Sequence, residues 1–132
     1  MPLFAELVSP ERLVFSGEVE SVVLPAVDGD MTILPGHQPL VTLLNPGFLF
    51  ATDTEGRARR AFVLGGLVEV TGSTVTILAD RVTALEELTH ELLDKEILQL
   101  TMTRDAAADP AARLQADIAI ARLEEFMASL KQ

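Results

Sequence analysis

Three side chains able to do chemistry lie within one fifteen-residue stretch, VDGDMTILPGHQPLV, residues 27–41. Asp28 and Asp30 place two carboxylates one residue apart, and the imidazole of His37 follows after Met31-Thr32-Ile33-Leu34-Pro35-Gly36. Carboxylates and an imidazole so close could ligate a metal, exchange protons, or form a polar docking edge. The metal reading lacks donors. A calcium loop opening at Asp28 needs a third acid two residues after Asp30, a glycine at its sixth position and a glutamate at its twelfth, and none is present. His90, the second histidine, falls on a stretch of helical pattern far along the chain, where it is expected to face solvent. Nucleophilic catalysis finds no support either: there is no cysteine and no Gly-x-Ser-x-Gly elbow. Gly65-Gly66 has no following Gly-Lys-Ser/Thr, so a bulge or tight bend explains it better than a phosphate cradle. No enzyme, cofactor or metal is expected. Turn chemistry alone accounts for Asp28-Gly29 and Pro35-Gly36. It does not account for the apolar run between them or for His37. A recognition edge and plain turns both remain open at this point.

The elements that must hold these residues fall into two kinds. From Leu3 to about Ala79, runs such as Glu18–Leu24, Leu67–Val70 and Thr74–Ile77 alternate or are β-branched, which predicts strands. Ser9-Pro10, Ser16-Gly17, Asp28-Gly29, Pro35-Gly36, Pro46-Gly47, Glu55-Gly56, Gly65-Gly66 and Gly72-Ser73 read as the turns between them. Counted this way there are about nine short strands, in an antiparallel sandwich or barrel. The clearest hairpins are Phe48–Leu64, turning at Asp53–Gly56, and Leu67–Leu78, turning at Thr71–Ser73. Glu18 and Glu20 alternate outward as a solvated face.

Beyond Asp80 the period changes to that of helices. Thr83-Ala84-Leu85-Glu86 reads as a capping box, followed by Leu85, Leu88, Leu92, Leu93, Ile97 and Leu100 at helical spacing. Asp109-Pro110 predicts a second start, with Asp as N-cap and Pro at the first helical position. Ala116, Ile120, Leu123, Met127 and Leu130 then form a narrow seam for pairing with another helix, and a short connection favours an antiparallel hairpin. The expected organisation is a β domain over residues 1–82 and a helical domain over 83–132.

Composition narrows the partners. The chain of 132 residues is 48% hydrophobic, with six Phe and no Trp or Tyr, so its core must rest on Val, Leu, Ile and Ala. A net charge of −10 disfavours nucleic acid, because no cationic stripe exists to release counterions. The one basic cluster is Arg57, Arg59 and Arg60, within a hairpin. No signal peptide is expected at the start, and no apolar run reaches the ~20 residues needed to cross a bilayer as a helix. Any membrane association is expected to come through a partner.

Several motifs, taken together, resemble one family. Val8-Ser9-Pro10-Glu11, Phe15-Ser16-Gly17-Glu18, Val23-Leu24-Pro25, Asp28-Gly29-Asp30, Leu34-Pro35-Gly36-His37-Gln38-Pro39-Leu40-Val41-Thr42, Gly65-Gly66-Leu67-Val68-Glu69-Val70 and Val75–Asp80 are similar to the epsilon subunit of the F-type ATP synthase. The resemblance covers residues 3–80 and rests most on the Pro-Gly-His-x-Pro-Leu-x-Thr run. It implies a ten-stranded β-sandwich followed by a helical hairpin. It also implies a non-catalytic subunit of the central stalk, bound to the gamma subunit, seated on the ring of c subunits, and peripheral to the cytoplasmic face of a bacterial inner membrane. Carried over by position, docking to the ring and gamma falls on Asp28, Gly29, Asp30, Met31 and His37. The helical tail would reach the catalytic alpha and beta subunits where it regulates. Some relatives bind ATP through Leu-Asp-x-x-Arg-Ala at the first helix; here Leu88-Thr89-His90-Glu91-Leu92-Leu93 puts Thr for the Asp, Leu for the Arg and Leu for the Ala. Weak or absent ATP binding is therefore expected. The competing class is a free-standing β-sandwich module that binds a ligand or acts as an adaptor.

Overall fold

In a computed structural model of the chain, residues 3–85 and 88–130 are described, except for the side chain of Leu130. They form two compact units, residues 1–83 and 84–132. The first is all β: β1 (Leu3–Val8), β2 (Leu13–Ala26), β3 (Gly29–Ile33), β4 (Leu40–Asp53), β5 (Ala58–Val70), β6 (Thr74–Ala79) and β7 (Val82–Ala84). The strands run in the order β1-β6-β5-β4-β2-β3, with β7 on β5. Pairing between β1 and β2 closes five of them into a ring.

Alternation drives this unit. In β1, Leu3, Ala5 and Leu7 point inward while Phe4 stays exposed; in β6, Val75, Ile77 and Ala79 point inward while Leu78 is exposed. Leu3, Leu24, Ile33 and Ile77 are fully buried at the centre. Each such side chain contributes about 1.5–3 kcal/mol over leaving it in water.

Three expectations need correction. The described residues hold seven strands, not nine or ten, because β2, β4 and β5 are long and pass through Ser16-Gly17, Pro46-Gly47 and Gly65-Gly66. Those pairs bend strands instead of ending them, as glycine does where a strand must kink or another backbone comes close. Gly66 is the tightest case. Its φ is +139°, and a Cβ there would stand 2.2 Å from the Leu78 carbonyl oxygen. Second, the ring is not wholly antiparallel: β1 runs parallel to β6, from Phe4 beside Thr74 to Val8 beside Leu78. Third, Thr83 does not stand at the start of α1. It lies in β7, while Glu86 falls outside the described residues.

The second unit holds α1 (His90–Ala106) and α2 (Pro110–Leu130). Thr89 is the N-cap of α1, its hydroxyl accepting from Leu92 N–H at 3.2 Å. Leu85 and Leu88 precede the helix, joined by a Leu88 N–H to Leu85 carbonyl bond of 3.1 Å. Asp109 accepts from Ala111 N–H at 3.1 Å, and Pro110 opens α2, as expected. Leu93 from α1 and Ala116, Ala119, Ile120 and Leu123 from α2 are buried. Ala119 widens the expected seam, and Met127 is only half-buried. Arg104 clamps the pair by bonding Asp117 at 3.1 Å and Asp105 at 3.3 Å; these bonds hold its pKa above the ordinary value. His90 is exposed.

Candidate docking surface

β2 and β3 form a hairpin whose loop is Val27-Asp28, with Ala26 paired to Gly29. Gly29 has φ +124°, a conformation open to glycine at little cost, and it lets so short a loop reverse the chain. Asp28, Gly29 and Asp30 are exposed. Met31 turns the other way and packs half-buried against the core. Of the five expected docking residues, Met31 thus serves the fold first.

His37 is held by a turn of its own. Pro35 fixes one central position, Gly36 takes φ +84° at the next, and His37 N–H closes on the Leu34 carbonyl at 3.1 Å. That is the type II pattern. Gly36 N–H donates to the Gly72 carbonyl at 2.9 Å, tying this turn to the β5–β6 turn. The His37 ring is half-buried, with Nδ1 2.8 Å from the Gln38 carbonyl oxygen. A carbonyl only accepts, so Nδ1 carries the proton and Nε2 is left to meet a partner.

The two turns do not form one cluster. β3 stands between them, and its five residues span about 16 Å at strand rise. Among the described residues, no group of three His, Cys, Asp or Glu side chains is placed to hold a metal. The arrangement is an exposed polar margin: carboxylates at one end of β3, an imidazole past the other.

Two features escaped the sequence. One is an apolar row across the outside of the ring, where register sets Leu43 beside Leu67, Leu67 beside Leu78, Leu78 beside Val8, and Val8 beside Leu13. Leu43, Leu78 and Leu13 are 59%, 48% and 54% exposed. Apolar residues at outward positions were the available signal, but only the register joins them. Contiguous exposed apolar surface marks a site of contact with a protein, a membrane or a ligand. The other feature is the fate of the basic cluster. Arg57 pairs with Asp53 and Glu55, and Arg59 lies over the Phe15 ring at 5.6 Å. Two of the three arginines therefore serve the hairpin and its margin. Asp53 accepts from the Arg57 and Glu55 N–H groups at 2.9 Å each, and the Arg57 bond leads in holding its carboxyl below the ordinary range.

Among the described residues, no helix is long and apolar enough to cross a membrane. The family described as ATP synthase, Delta/Epsilon chain, beta-sandwich domain matches residues 3–84. The ATP synthase epsilon chain of Jannaschia sp. (strain CCS1) is 42% identical over 117 residues, covering 86% of this chain and 88% of that one. That of Maricaulis maris (strain MCS10) is 36% identical over 126 residues, covering 96% and 94%. Among solved structures, a chain of the Euglena gracilis mitochondrial ATP synthase, OSCP/F1/c-ring in rotational state 1, aligns with TM-score 0.75 and 26% identity, over 98% of this chain and 81% of that chain. A chain of the Tetrahymena thermophila mitochondrial ATP synthase central stalk and c-ring shares the fold, with TM-score 0.67 at 13% identity.

Proposed function

Since the chain belongs to the epsilon chains of the ATP synthase, we propose that it works as a non-catalytic part of the rotating central stalk. In this reading it couples rotation of the c-ring, through gamma, to ATP synthesis, as a peripheral protein on the cytoplasmic face of a bacterial inner membrane. The observation that carries the reading is the division of the β unit's surface. One side is the apolar row through Leu43, Leu67 and Leu78; a separate margin carries Asp28, Asp30 and His37. An apolar face suits a partner held permanently, and gamma is that partner here. Carboxylates and an imidazole on backbone-locked turns suit the polar loops of the ring, where basic groups meet them.

The two helices act as an antiparallel hairpin, supported by their three-residue connection and by the Arg104–Asp117 bond across it. This hairpin binds ATP weakly or not at all and inhibits hydrolysis poorly. Thr89 spends its hydroxyl on capping α1, and Leu92 has no guanidinium fork to hold phosphate. Three of the five cations that could reach acidic segments of alpha and beta are engaged within the unit, Arg104 with Asp117, Arg113 with the Ala107 carbonyl and Arg122 with Glu125, while Lys131 lies outside the described residues.

Gel filtration with gamma tests the assignment. The chain should co-elute with gamma, and replacing Leu43 and Leu78 with serine should release it. A chain that elutes alone in the presence of folded gamma would refute the stalk reading.

A further inference from the structure

β3 has a neighbour on one side only. It stands last in the strand order, beyond β2, and among the described residues no strand pairs with its outer edge. The hairpin fixes which backbone groups face that edge. A two-residue loop makes its flanking pair, Ala26 and Gly29, exchange both hydrogen bonds, and an antiparallel ladder alternates from there. Leu24–Met31 and Val22–Ile33 are the next bonded pairs. A separate bond agrees with this parity: Val27 N–H donates to the Leu43 carbonyl at 3.1 Å, so by alternation the Pro25 backbone turns toward β4. Pro25 obeys the same rule, its missing N–H lying on the β4 side, where a Cβ on Gly47 would stand 2.9 Å from the Pro25 ring. The N–H and C=O groups of Asp30 and Thr32 therefore point away from the sheet, and both residues are exposed.

We propose that this edge takes a further strand: an extended, lysine- or arginine-bearing segment of a partner subunit, bonded to the main chain of Asp30 and Thr32. This deepens the docking reading of the Asp28–His37 margin and rests on it. Main-chain bonds along an open edge give affinity that no side chain need supply. Charge selects the occupant. Asp28 and Asp30 flank the edge on a chain of net charge −10, so a second copy meets repulsion, while a basic segment meets two carboxylates. Val27 and Leu34, 48% and 54% exposed, offer apolar contact at the two ends of β3. Continuity favours the same occupant, because this edge joins the acidic turn to the His37 turn.

The test uses the full chain assembled with gamma and the c-ring. Amide exchange, read by NMR after release from the complex, should slow at least tenfold at Asp30 and Thr32 on assembly. Met31, already bonded to β2, should change far less. Thr32→Pro removes one outward N–H without touching the β2 ladder and should weaken assembly about tenfold, whereas Thr32→Val should not. Unchanged exchange at Asp30 and Thr32 overturns the inference, and because it is read on the native sequence it stands even if the proline variant misfolds. If Asp30→Asn or His37→Ala then weakens assembly while Thr32→Pro does not, the margin docks by side chains alone. If none of these variants weakens assembly, the docking reading falls as well. A dimer of the isolated chain that Thr32→Pro dissociates would assign the edge to a second copy and overturn the proposal.

Discussion

Asp30 and His37, the side chains proposed to dock, stand at the surface of their own fold. Asp30 is exposed on β3, and among the described residues the His37 ring bonds the adjacent Gln38 carbonyl. Surface side chains outside the core and outside buried networks usually change stability by less than about 0.5 kcal/mol when replaced, and the bond of half-buried His37 is a local one. Asp30→Ala and His37→Ala should leave the melting temperature almost unmoved while loosening the chain from the ring. The double variant should be clearer than either single one, since exposed charged contacts are worth only up to about 1 kcal/mol each. Full proton-coupled activity in membranes carrying the double variant would count against the margin. Asp53 is the opposite kind of residue, a carboxylate that serves the structure. Bonds from the Arg57 and Glu55 N–H groups depress its folded pKa below the ordinary 3.8. A depressed carboxyl stabilises the fold fully above its unfolded value and loses that contribution as pH falls through the folded one. Its NMR titration midpoint should therefore lie below 3.8, and its share of stability should survive at pH 5 and vanish on acidification below that midpoint. Asp53→Asn should erase that dependence.

At the scale of elements, glycine decides how the β unit closes. Gly65 and Gly66 sit inside β5 at φ +105° and +139°, letting the strand cross from its pairing along Leu40–Leu44 to its pairing along Pro46–Thr52. Gly66→Ala would drive a methyl group against the Leu78 carbonyl in a conformation that L-residues avoid, so β5 and β6 must separate there. A loss of several kcal/mol is expected, from backbone strain of about 1–3 kcal/mol plus the lost contacts, measured by denaturant unfolding. Gly72→Ala is the control, because it meets no atom within 4 Å. Loss of equal size at both positions would deny the close-approach argument. The β unit should also stand by itself. The ring closes with β6 and β7 pairs with β5, so residues 1–84 contain every strand among the described residues and should unfold in one cooperative transition. A molten or aggregating product would contradict the two-unit organisation.

Over the whole molecule, charge bears on the weak regulation proposed for the helices. Residues 83–132 carry five Lys/Arg against ten Asp/Glu, and Arg104, Arg113 and Arg122 are bonded within the helical unit. Such a tail meets an acidic partner with net repulsion. Removing residues 86–132 should raise ATP hydrolysis by the purified complex only slightly, and calorimetry should find no micromolar ATP affinity. Many-fold activation, or tight ATP binding, would show that the helices hold a state in which those arginines are released.

By itself the sequence determined the class of each half, because period is a local property. Alternation in Leu3–Leu7 and Thr74–Ala79 marks strands whichever neighbours they find, and Asp109-Pro110 starts a helix wherever it stands. It also marked Asp28, Asp30 and His37, the residues proposed to dock, as a group worth attention. Tertiary structure decided the rest. Whether Pro46-Gly47 and Gly65-Gly66 end a strand or bend it depends on the strand beside them, and no local signal carries that. The parallel pairing of β1 with β6 joins residues about seventy apart in the chain, so neither periodicity nor turn chemistry encodes it. Thr83 and Thr89 both precede leucines at helical spacing, yet Thr83 was drawn into pairing with β5 and Thr89 was left to cap α1. The apolar row and the open edge of β3 are likewise consequences of register, since outward leucines from separate strands become a surface only when pairing sets them side by side.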